Sequence, residues 1–262
     1  MSSPAGEPDA FDGIVALPAY NEAAALPGLI EAIAAMLPPR CAILVVDDGS
    51  ADDTAAIAER AAAKFPVVLV RHGRNRGLSA AVRTILRESV ARVSADGWFA
   101  VMDADATHDP RQVIEQMDMA ARTGADVVVC SRFVPGASVV GVPWWRGGFT
   151  AASRWFYRLL VGPLPARDLS CGYRWYRAAC VRRAFDTWGD DVVTTQSFGV
   201  MVELITKLAW SGAKVAEIPI RLRYDQKHGL SHMRLGPTTG DFLSLLWRLR
   251  EERSRGVHVS TR

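Results

Sequence analysis

The segment Trp98-Phe99-Ala100-Val101-Met102-Asp103-Ala104-Asp105 joins an apolar run to two carboxylates that stand one residue apart. Apolar runs without polar alternation are typical of strands that are buried on both faces of a parallel sheet. Two carboxylates at the end of such a strand can share a divalent cation, because Mg²⁺ prefers one or two carboxylates together with substrate phosphates. An isolated D-x-D pattern is more often a solvated turn, so its interpretation depends on the rest of the chain.

Four more apolar runs alternate with helical patterns along the sequence. The predicted strands are 13–17, 42–46, 67–70, 98–102 and 126–130. Helices are predicted up to about residues 37, 64, 93 and 123, with Ser50 as the N-cap of the second. Strand-helix-strand units of this length predict an α/β fold with a doubly wound, mostly parallel sheet. We expect a disordered tail at 1–12, one domain at 13–235, and an amphipathic C-terminal helix with a basic tail at 236–262.

Composition indicates a soluble globular protein, because 49% of the 262 residues are hydrophobic and no run approaches the ~20 apolar residues of a membrane span. A net charge of only +3 gives no indication of a nucleic-acid partner. The four cysteines have no C-x-x-C spacing, which favours reduced thiols. The polar N-terminus does not resemble a signal peptide. We therefore expect a cytoplasmic protein that does not cross a membrane by itself.

Three strand-to-helix loops carry carboxylates at the predicted carboxyl edge of the sheet, which is where ligands bind in such folds. The loops are 18–22, 47–50 and 103–105. We expect five carboxylates to meet around one cleft there: Glu22, Asp47, Asp48, Asp103 and Asp105. A cation or hydrogen-bond donors must offset that much negative charge.

Several motifs in this order carry a family resemblance. They are Pro18-Ala-Tyr-Asn-Glu22, Val45-Val-Asp-Asp-Gly-Ser50, Asn75-Arg-Gly77, Met102-Asp-Ala-Asp105, Ser131-Arg-Phe-Val-Pro-Gly136 and Arg167-Asp-Leu-Ser-Cys-Gly-Tyr-Arg174. The chain resembles the inverting family 2 glycosyltransferases of GT-A fold, and most closely the branch of dolichyl-phosphate mannose synthase and polyprenyl-phosphate glycosyltransferases. The resemblance covers about residues 13 to 235 and implies a Rossmann-like nucleotide-binding half followed by an acceptor half.

The resemblance also implies a donor and a cation. The donor would be a nucleoside diphosphate sugar, either GDP-mannose or a UDP-sugar, and the cation would be Mg²⁺ or Mn²⁺. Its base and ribose would be held by Pro18, Tyr20, Glu22, Val46 and Asp48. Asp103 and the backbone of Ala104 would line the nucleotide. The implied metal ligands are Asp103, Asp105 and Thr107, although relatives have Gln or Ser where this chain has Thr107.

Acceptor recognition is implied for a second set of residues. Arg132 would face the diphosphate or the acceptor, and Arg146 matches an arginine of the acceptor loop. In the lipid-phosphate enzymes a late loop carries an arginine and a lysine that face phosphate. This chain has Gln226 and His232 at those positions, with Lys227 as a substitute if the loop shifts by one residue.

A lipid acceptor predicts contact with a membrane surface. Residues 144–183 contain eight arginines and one acid, which suits phosphate, an anionic membrane or a merely solvated face. An apolar stripe at Phe242, Leu245, Leu246 and Leu249 suits an interfacial helix or one that packs on its own domain. The expected location is cytoplasmic, with peripheral contact at the cytoplasmic face of the membrane.

The predicted reaction is transfer of a sugar, with inversion, to a polyprenyl phosphate. A phosphate acceptor is anionic near neutral pH and needs no general base, whereas a hydroxyl acceptor needs one, and Asp168 and Glu203 are the candidates. The alternatives are a soluble or natural-product acceptor, a nucleotidyltransferase, and a non-catalytic module that binds nucleotide sugars. A nucleotidyltransferase should have a Gly-rich loop after the first strand, and a non-catalytic module should have lost Asp103 and Asp105.

Overall fold

The computed structural model describes residues 10–140, 146–196, 199–223 and 235–255, without the side chains of 146–152 and 235–239. Within these ranges seven strands form one sheet in the order β3-β2-β1-β4-β7-β5-β8, and β6 pairs with β9 in a small second sheet. The strands are β1 (Phe11–Ala19), β2 (Cys41–Asp47), β3 (Val67–Arg71), β4 (Val93–Val101), β5 (Val127–Ser131), β6 (Ser138–Val140), β7 (Arg174–Arg177), β8 (Val215–Pro219) and β9 (Arg221–Arg223).

Helices connect these strands and cover the sheet. They are α1 (Leu26–Ala34), α2 (Thr54–Ala62), α3 (Leu78–Arg92), α4 (Gln112–Thr123), α5 (Arg146–Leu160), α6 (Ala178–Trp188), α7 (Val200–Trp210) and α8 (Leu235–Ser254), with a 3-10 turn at Gly189–Val192. None of the helices in the described ranges is long and apolar enough to cross a bilayer.

The predicted α/β fold with a mostly parallel sheet is confirmed. All five predicted strands are present, and β2 is buried along its whole length, as its unbroken apolar run predicts. Strand β1 begins at Phe11, so the end of the predicted tail belongs to the sheet. The predicted N-cap at Ser50 is wrong, because α2 begins only at Thr54.

Strand β7 divides the sheet into two parts. It runs antiparallel to both β4 and β5, whereas every other neighbouring pair in the sheet is parallel. The carboxyl ends of β1, β2, β4 and β5 consequently open onto one edge. The loops that follow them, which carry most of the predicted site residues, are therefore gathered at that edge.

The apolar stripe of α8 packs on the protein's own core. Leu245, Leu246 and Leu249 are each at most 1% exposed, and Phe242 is partly buried against the same core. Of the two alternatives for this stripe, the structure favours the packed helix, because buried leucines cannot enter a lipid interface.

Candidate functional site

The loops after β1 and β2 are hydrogen-bonded into one unit. The backbone N–H of Asn21 donates to Ser50 Oγ at 2.9 Å, and the N–H of Ala51 donates to Asn21 Oδ1 at 2.9 Å. The N–H of Glu22 donates to Thr54 Oγ1 at 2.8 Å. Asn21 has a φ of 58°, a left-handed conformation that asparagine tolerates better than most residues. This unit fixes the position of Glu22 beside the second loop.

The carboxylate of Asp48 is buried and holds the turn at residues 74–77. Its Oδ1 lies 2.6 Å from His72 Nδ1 and accepts the backbone N–H of Arg76 at 3.1 Å. Its Oδ2 accepts the N–H of Gly77 at 2.7 Å. Asp48 is only 4% exposed. It therefore organises the backbone of this turn at the carboxyl edge of the sheet.

Gly49 allows the same turn to approach closely. Its φ is 71°, and a Cβ placed on it would lie 2.3 Å from the carbonyl carbon of Arg74. No side chain fits such a gap, so glycine is required at this position of the Asp47-Asp48-Gly49-Ser50 loop.

The two carboxylates after β4 have different environments. Ala16 of β1 pairs with Val101 of β4, so the loop that follows lies beside the end of β1. The Asp103 side chain is 53% exposed, whereas residue Asp105 is only 5% exposed. The hydroxyl of Thr107 donates to Asp105 Oδ1 at 2.7 Å, and the Thr107 N–H donates to the same oxygen at 3.1 Å. Thr107 therefore orients the buried carboxylate.

This pair fits a hard divalent cation that a diphosphate helps to coordinate. Among the described residues, no group of three His, Cys, Asp or Glu side chains is placed to hold a metal ion. The five predicted carboxylates consequently do not converge on one ion, and Asp47 instead accepts the N–H of Ser50. Two oxygen donors with the remaining positions left to phosphate and water are what Mg²⁺ prefers.

Arg132 is held at the same edge by Asp168. The Arg132 Nε and Nη2 atoms donate to the two oxygens of Asp168, both at 2.7 Å, and Nη2 also donates to Ser170 Oγ at 2.6 Å. Such a fork fixes the plane of the guanidinium. The loop that carries Asp168 also contains Gly172. It borders the Asp103-Ala104-Asp105 turn, here called the DxD loop, because a Cβ placed on Gly172 would lie 3.7 Å from Asp103 Oδ1.

Asp168 is poorly suited to act as a general base. It is fully buried, and it accepts further backbone N–H groups from Ser170 and Cys171. Burial by itself would raise its pKa, but the hydrogen bonds and charge of Arg132 outweigh burial, so the pKa lies below its usual value. A carboxylate with a lowered pKa and fully engaged oxygens is a weak proton acceptor.

Glu203 has a similar environment on α7. It is fully buried, its carboxylate lies 2.9 Å from Lys207 Nζ, and it accepts the hydroxyl of Thr194 at 2.7 Å and the N–H of Thr195 at 2.8 Å. Burial favours a raised pKa, but the charge of Lys207 and these hydrogen bonds lower it below the usual value. Neither predicted base therefore has the geometry or the pKa of one.

The other predicted residues are placed as follows. Pro18 pairs with Val46 in the β1–β2 register. Val46 is fully buried and Ala104 is 2% exposed, so these two residues could offer a ligand only their backbone. Tyr20 is half-buried at the end of β1. Arg146 begins α5, and its side chain is not described; Gln226, Lys227 and His232 lie outside the described residues.

Three residues that support the site were not predicted from sequence as members of it. His72 contacts Asp48, Glu217 Oε1 accepts the N–H of Asp168 at 3.0 Å, and Tyr173 stacks on His108 with ring centroids 4.8 Å apart. His108 in turn accepts the backbone N–H of Asp103. His72 lies two residues after the predicted strand 67–70, and this position near a strand end is the sequence signal that could have identified it.

Comparison with known proteins assigns the family. The family model described as "Glycosyl transferase family 2" matches residues 14–185 of this chain. The undecaprenyl-phosphate mannosyltransferase of Micrococcus luteus is 34% identical over 78% of this chain and 80% of its own. The polyprenol monophosphomannose synthase of Mycolicibacterium smegmatis is 31% identical over 84% of this chain and 80% of its own.

Solved structures support the fold. Glucosyl-3-phosphoglycerate synthase from Mycobacterium tuberculosis, in complex with Mn²⁺, UDP-glucose and phosphoglyceric acid, has a TM-score of 0.63 and 19% identity over 93% of this chain and 80% of its own. S. aureus TarS in complex with UDP has a TM-score of 0.61 and 18% identity over 96% of this chain and 67% of its own.

Proposed function

Because the chain belongs to glycosyl transferase family 2, we propose that this glycosyltransferase moves a sugar, with inversion, from a nucleoside diphosphate sugar to a polyprenyl phosphate. Two relatives at 31–34% identity are named for transfer of mannose to lipid phosphates, which favours mannose as the sugar and this acceptor class. The acceptor is a lipid, so we further propose that the enzyme acts as a peripheral protein at the cytoplasmic face of a membrane.

The main support for a phosphate acceptor is that both candidate bases are buried and ion-paired. Asp168 and Glu203 are both fully buried and ion-paired, at 2.7 Å to Arg132 and 2.9 Å to Lys207. A hydroxyl acceptor needs a base to remove its proton, whereas a phosphate monoester is already ionised near neutral pH. The site therefore suits a phosphate oxygen as the nucleophile.

We assign the donor to the edge formed by β1, β2 and β4. Tyr20, Glu22 and the 74–77 turn held by Asp48 would border the nucleoside. Asp103 and Asp105 would hold Mg²⁺ or Mn²⁺ together with the diphosphate, and Thr107 would keep Asp105 in position. When bound, such a cation stabilises the negative charge that develops on the departing diphosphate.

We assign the acceptor phosphate to Arg132. Its Nε and Nη2 groups are engaged by Asp168, and its side chain is still 31% exposed beside the DxD loop. A guanidinium in this fixed orientation can draw in an anionic oxygen without reorganising when the acceptor arrives. Asp168 is then a positioning residue that acts through Arg132.

A donor panel tests the proposal. Purified enzyme with Mn²⁺ and a short-chain polyprenyl phosphate is offered GDP-mannose and several UDP-sugars, and the lipid extract is analysed by mass spectrometry. The expected product is the lipid phosphate with one added hexose, formed from one of these donors. NMR of that product should show an anomeric configuration opposite to that of the donor. Transfer of a nucleoside monophosphate group to the acceptor, with release of sugar phosphate, would instead identify a nucleotidyltransferase.

A further inference from the structure

Four arginines in the basic segment 144–183 have structural partners. Arg174 is fully buried and donates to two backbone carbonyls, and Arg182 donates to carbonyls at the end of α3. Arg177 and Arg183 each lie 3.6 Å from a carboxylate oxygen of Asp126. The arginines of this segment that are available to a partner therefore lie on α5 and shortly after it.

Helix α5 presents three large apolar side chains to solvent. Trp155 is 60% exposed, Leu159 64% and Phe156 39%. Trp155 and Leu159 stand four residues apart and share one face of the helix, and the Trp155 and Phe156 rings touch edge to face with centroids 5.1 Å apart. Tyr157, by contrast, is buried against the core. Exposed apolar side chains that lie together and are rimmed by polar residues are typical of protein or membrane interaction sites.

The segment that carries this patch is positively charged. Arg154 and Arg158 lie on the same helix, and Arg167 is exposed shortly after it. The one acid between residues 144 and 183 is Asp168, which is fully buried and paired with Arg132. No exposed acid on this segment therefore offsets the arginines.

The patch lies beside the proposed acceptor position. The Arg154 guanidinium carbon lies 5.3 Å from the centroid of the Phe133 ring, and the Arg132 guanidinium carbon lies 5.5 Å from the same ring. One aromatic ring thus connects the basic end of the exposed patch to the arginine that we assign to the acceptor phosphate.

We propose that Trp155, Phe156 and Leu159 insert into the surface of an anionic lipid bilayer, with Arg154 and Arg158 facing the lipid phosphates. Tryptophan and leucine favour the membrane interface, and nearby arginines add electrostatic attraction to anionic headgroups. A second copy of the chain fits the patch less well, since two such faces would oppose their arginines, and three side chains expose far less than the ~800 Å² per partner of a stable interface.

The proposal rests on the proposed function for its purpose, because docking here would bring Arg132 to a lipid-borne phosphate. Binding to lipid is measured separately from transfer, so the two can fail independently. Lipid binding is measured by flotation of the enzyme with vesicles of phosphatidylcholine mixed with phosphatidylglycerol. No donor or acceptor is present, and the salt concentration is raised in steps.

Two variants remove the apolar and the basic part of the surface. The double variant Trp155→Ser/Leu159→Ser should bind the mixed vesicles about tenfold or more weakly. Arg158→Glu should bind them about fivefold or more weakly, with the difference shrinking as salt rises. All five positions changed here and in the controls are on the surface. If the double variant does not fold, Arg158→Glu decides alone.

The matched controls are Trp247→Ser and Arg122→Glu. Trp247 is 55% exposed, but its Nε1 donates to Glu251 at 3.0 Å, so an acidic group lies beside its ring. Arg122 is exposed on α4. Both controls should bind vesicles like the wild type, and a loss in either that equals the loss in its test variant would overturn the assignment to α5.

Transfer assays complete the test. The double variant should lose transfer to polyprenyl phosphate embedded in vesicles, while it keeps wild-type transfer to a short-chain, water-soluble polyprenyl phosphate. Absence of transfer to either acceptor in the wild type, with patch-dependent vesicle binding, would reject the proposed function and leave the docking surface standing. Unchanged vesicle binding in the variants would reject the docking surface, as would a wild-type dimer in sedimentation that Trp155→Ser dissociates.

Discussion

The substitution Asp168→Asn isolates the role of the Asp168–Arg132 pair. An amide keeps the shape of the side chain but removes the charge and replaces one acceptor oxygen by a donor, which then faces the donors of Arg132 or Cys171. Breaking a fully buried ion pair costs about 3–5 kcal/mol, and since 31% of the Arg132 side chain is exposed we expect about 2–3 kcal/mol here. The loss is measured by urea unfolding.

The same substitution should affect turnover more than donor binding. A reacting group displaced by about 1 Å can cost a hundredfold in rate, so we expect kcat to fall about 100-fold at a temperature where the variant is folded. Donor affinity measured by calorimetry should change little, because the DxD loop keeps its own contacts.

Asp126→Asn is the matched control. Asp126 is likewise ion-paired, in its case with Arg177 and Arg183. It precedes β5, whereas Arg132 follows that strand. The two ends of β5 are about 17 Å apart at 3.3 Å per residue. The control should lose stability and keep wild-type kcat. If Asp168→Asn loses stability but retains kcat as well, its proposed positioning role is wrong.

Three further outcomes are expected. Asp105→Asn should abolish most transfer and remove the Mn²⁺ dependence of nucleotide binding in calorimetry; near wild-type turnover with an unchanged Mn²⁺ response would exclude Asp105 as a ligand. Asp48→Ala should weaken binding of the free nucleotide and of the nucleotide sugar alike, since it releases the 74–77 turn; a loss confined to the sugar-bearing donor would contradict this. Glu203→Gln should lower the free energy of unfolding by about 2–3 kcal/mol, because the buried ammonium of Lys207 loses its nearest carboxylate and keeps the more distant one of Glu252, at 3.5 Å. The pKa of Glu203 is lowered in the folded state, so its contribution to the free energy of unfolding is complete above the unfolded pKa of about 4.3 and is lost as the pH falls below that value. The stability of the variant should therefore fall less steeply with decreasing pH than that of the wild type. An unchanged slope would refute the pairing.

The nucleotide-binding half could be predicted from sequence because its information is local. Each of the strands β1 to β5 contains an apolar run, and parallel strands bring their carboxyl ends to one edge of the sheet whatever the details of packing. The 103–105 turn follows from the same rule. The N-cap failed at Ser50 because its hydroxyl accepts the N–H of Asn21 from another loop, which no local propensity encodes.

The remaining features depend on contacts that are distant in sequence. Strand β7 is short and includes the fully buried Arg174, so it lacks an apolar pattern, and its antiparallel place depends on pairing with β4 and β5. Asp168 looks like a free carboxylate in sequence because its partner Arg132 precedes it by 36 residues. A helical stripe such as that of α8 identifies a buried face, but the sequence does not show whether lipid or protein covers it.

A competition for acceptor in one vessel tests the central claim most directly. Enzyme, Mn²⁺ and labelled donor are mixed with equal amounts of a short-chain polyprenyl phosphate, the polyprenol of the same chain length and a soluble alcohol, and the label in each product is counted. With Asp168 and Glu203 both committed to ion pairs, label should enter the phosphate alone. Label in either alcohol, with none in the phosphate, would contradict the account and require a general base that neither carboxylate provides.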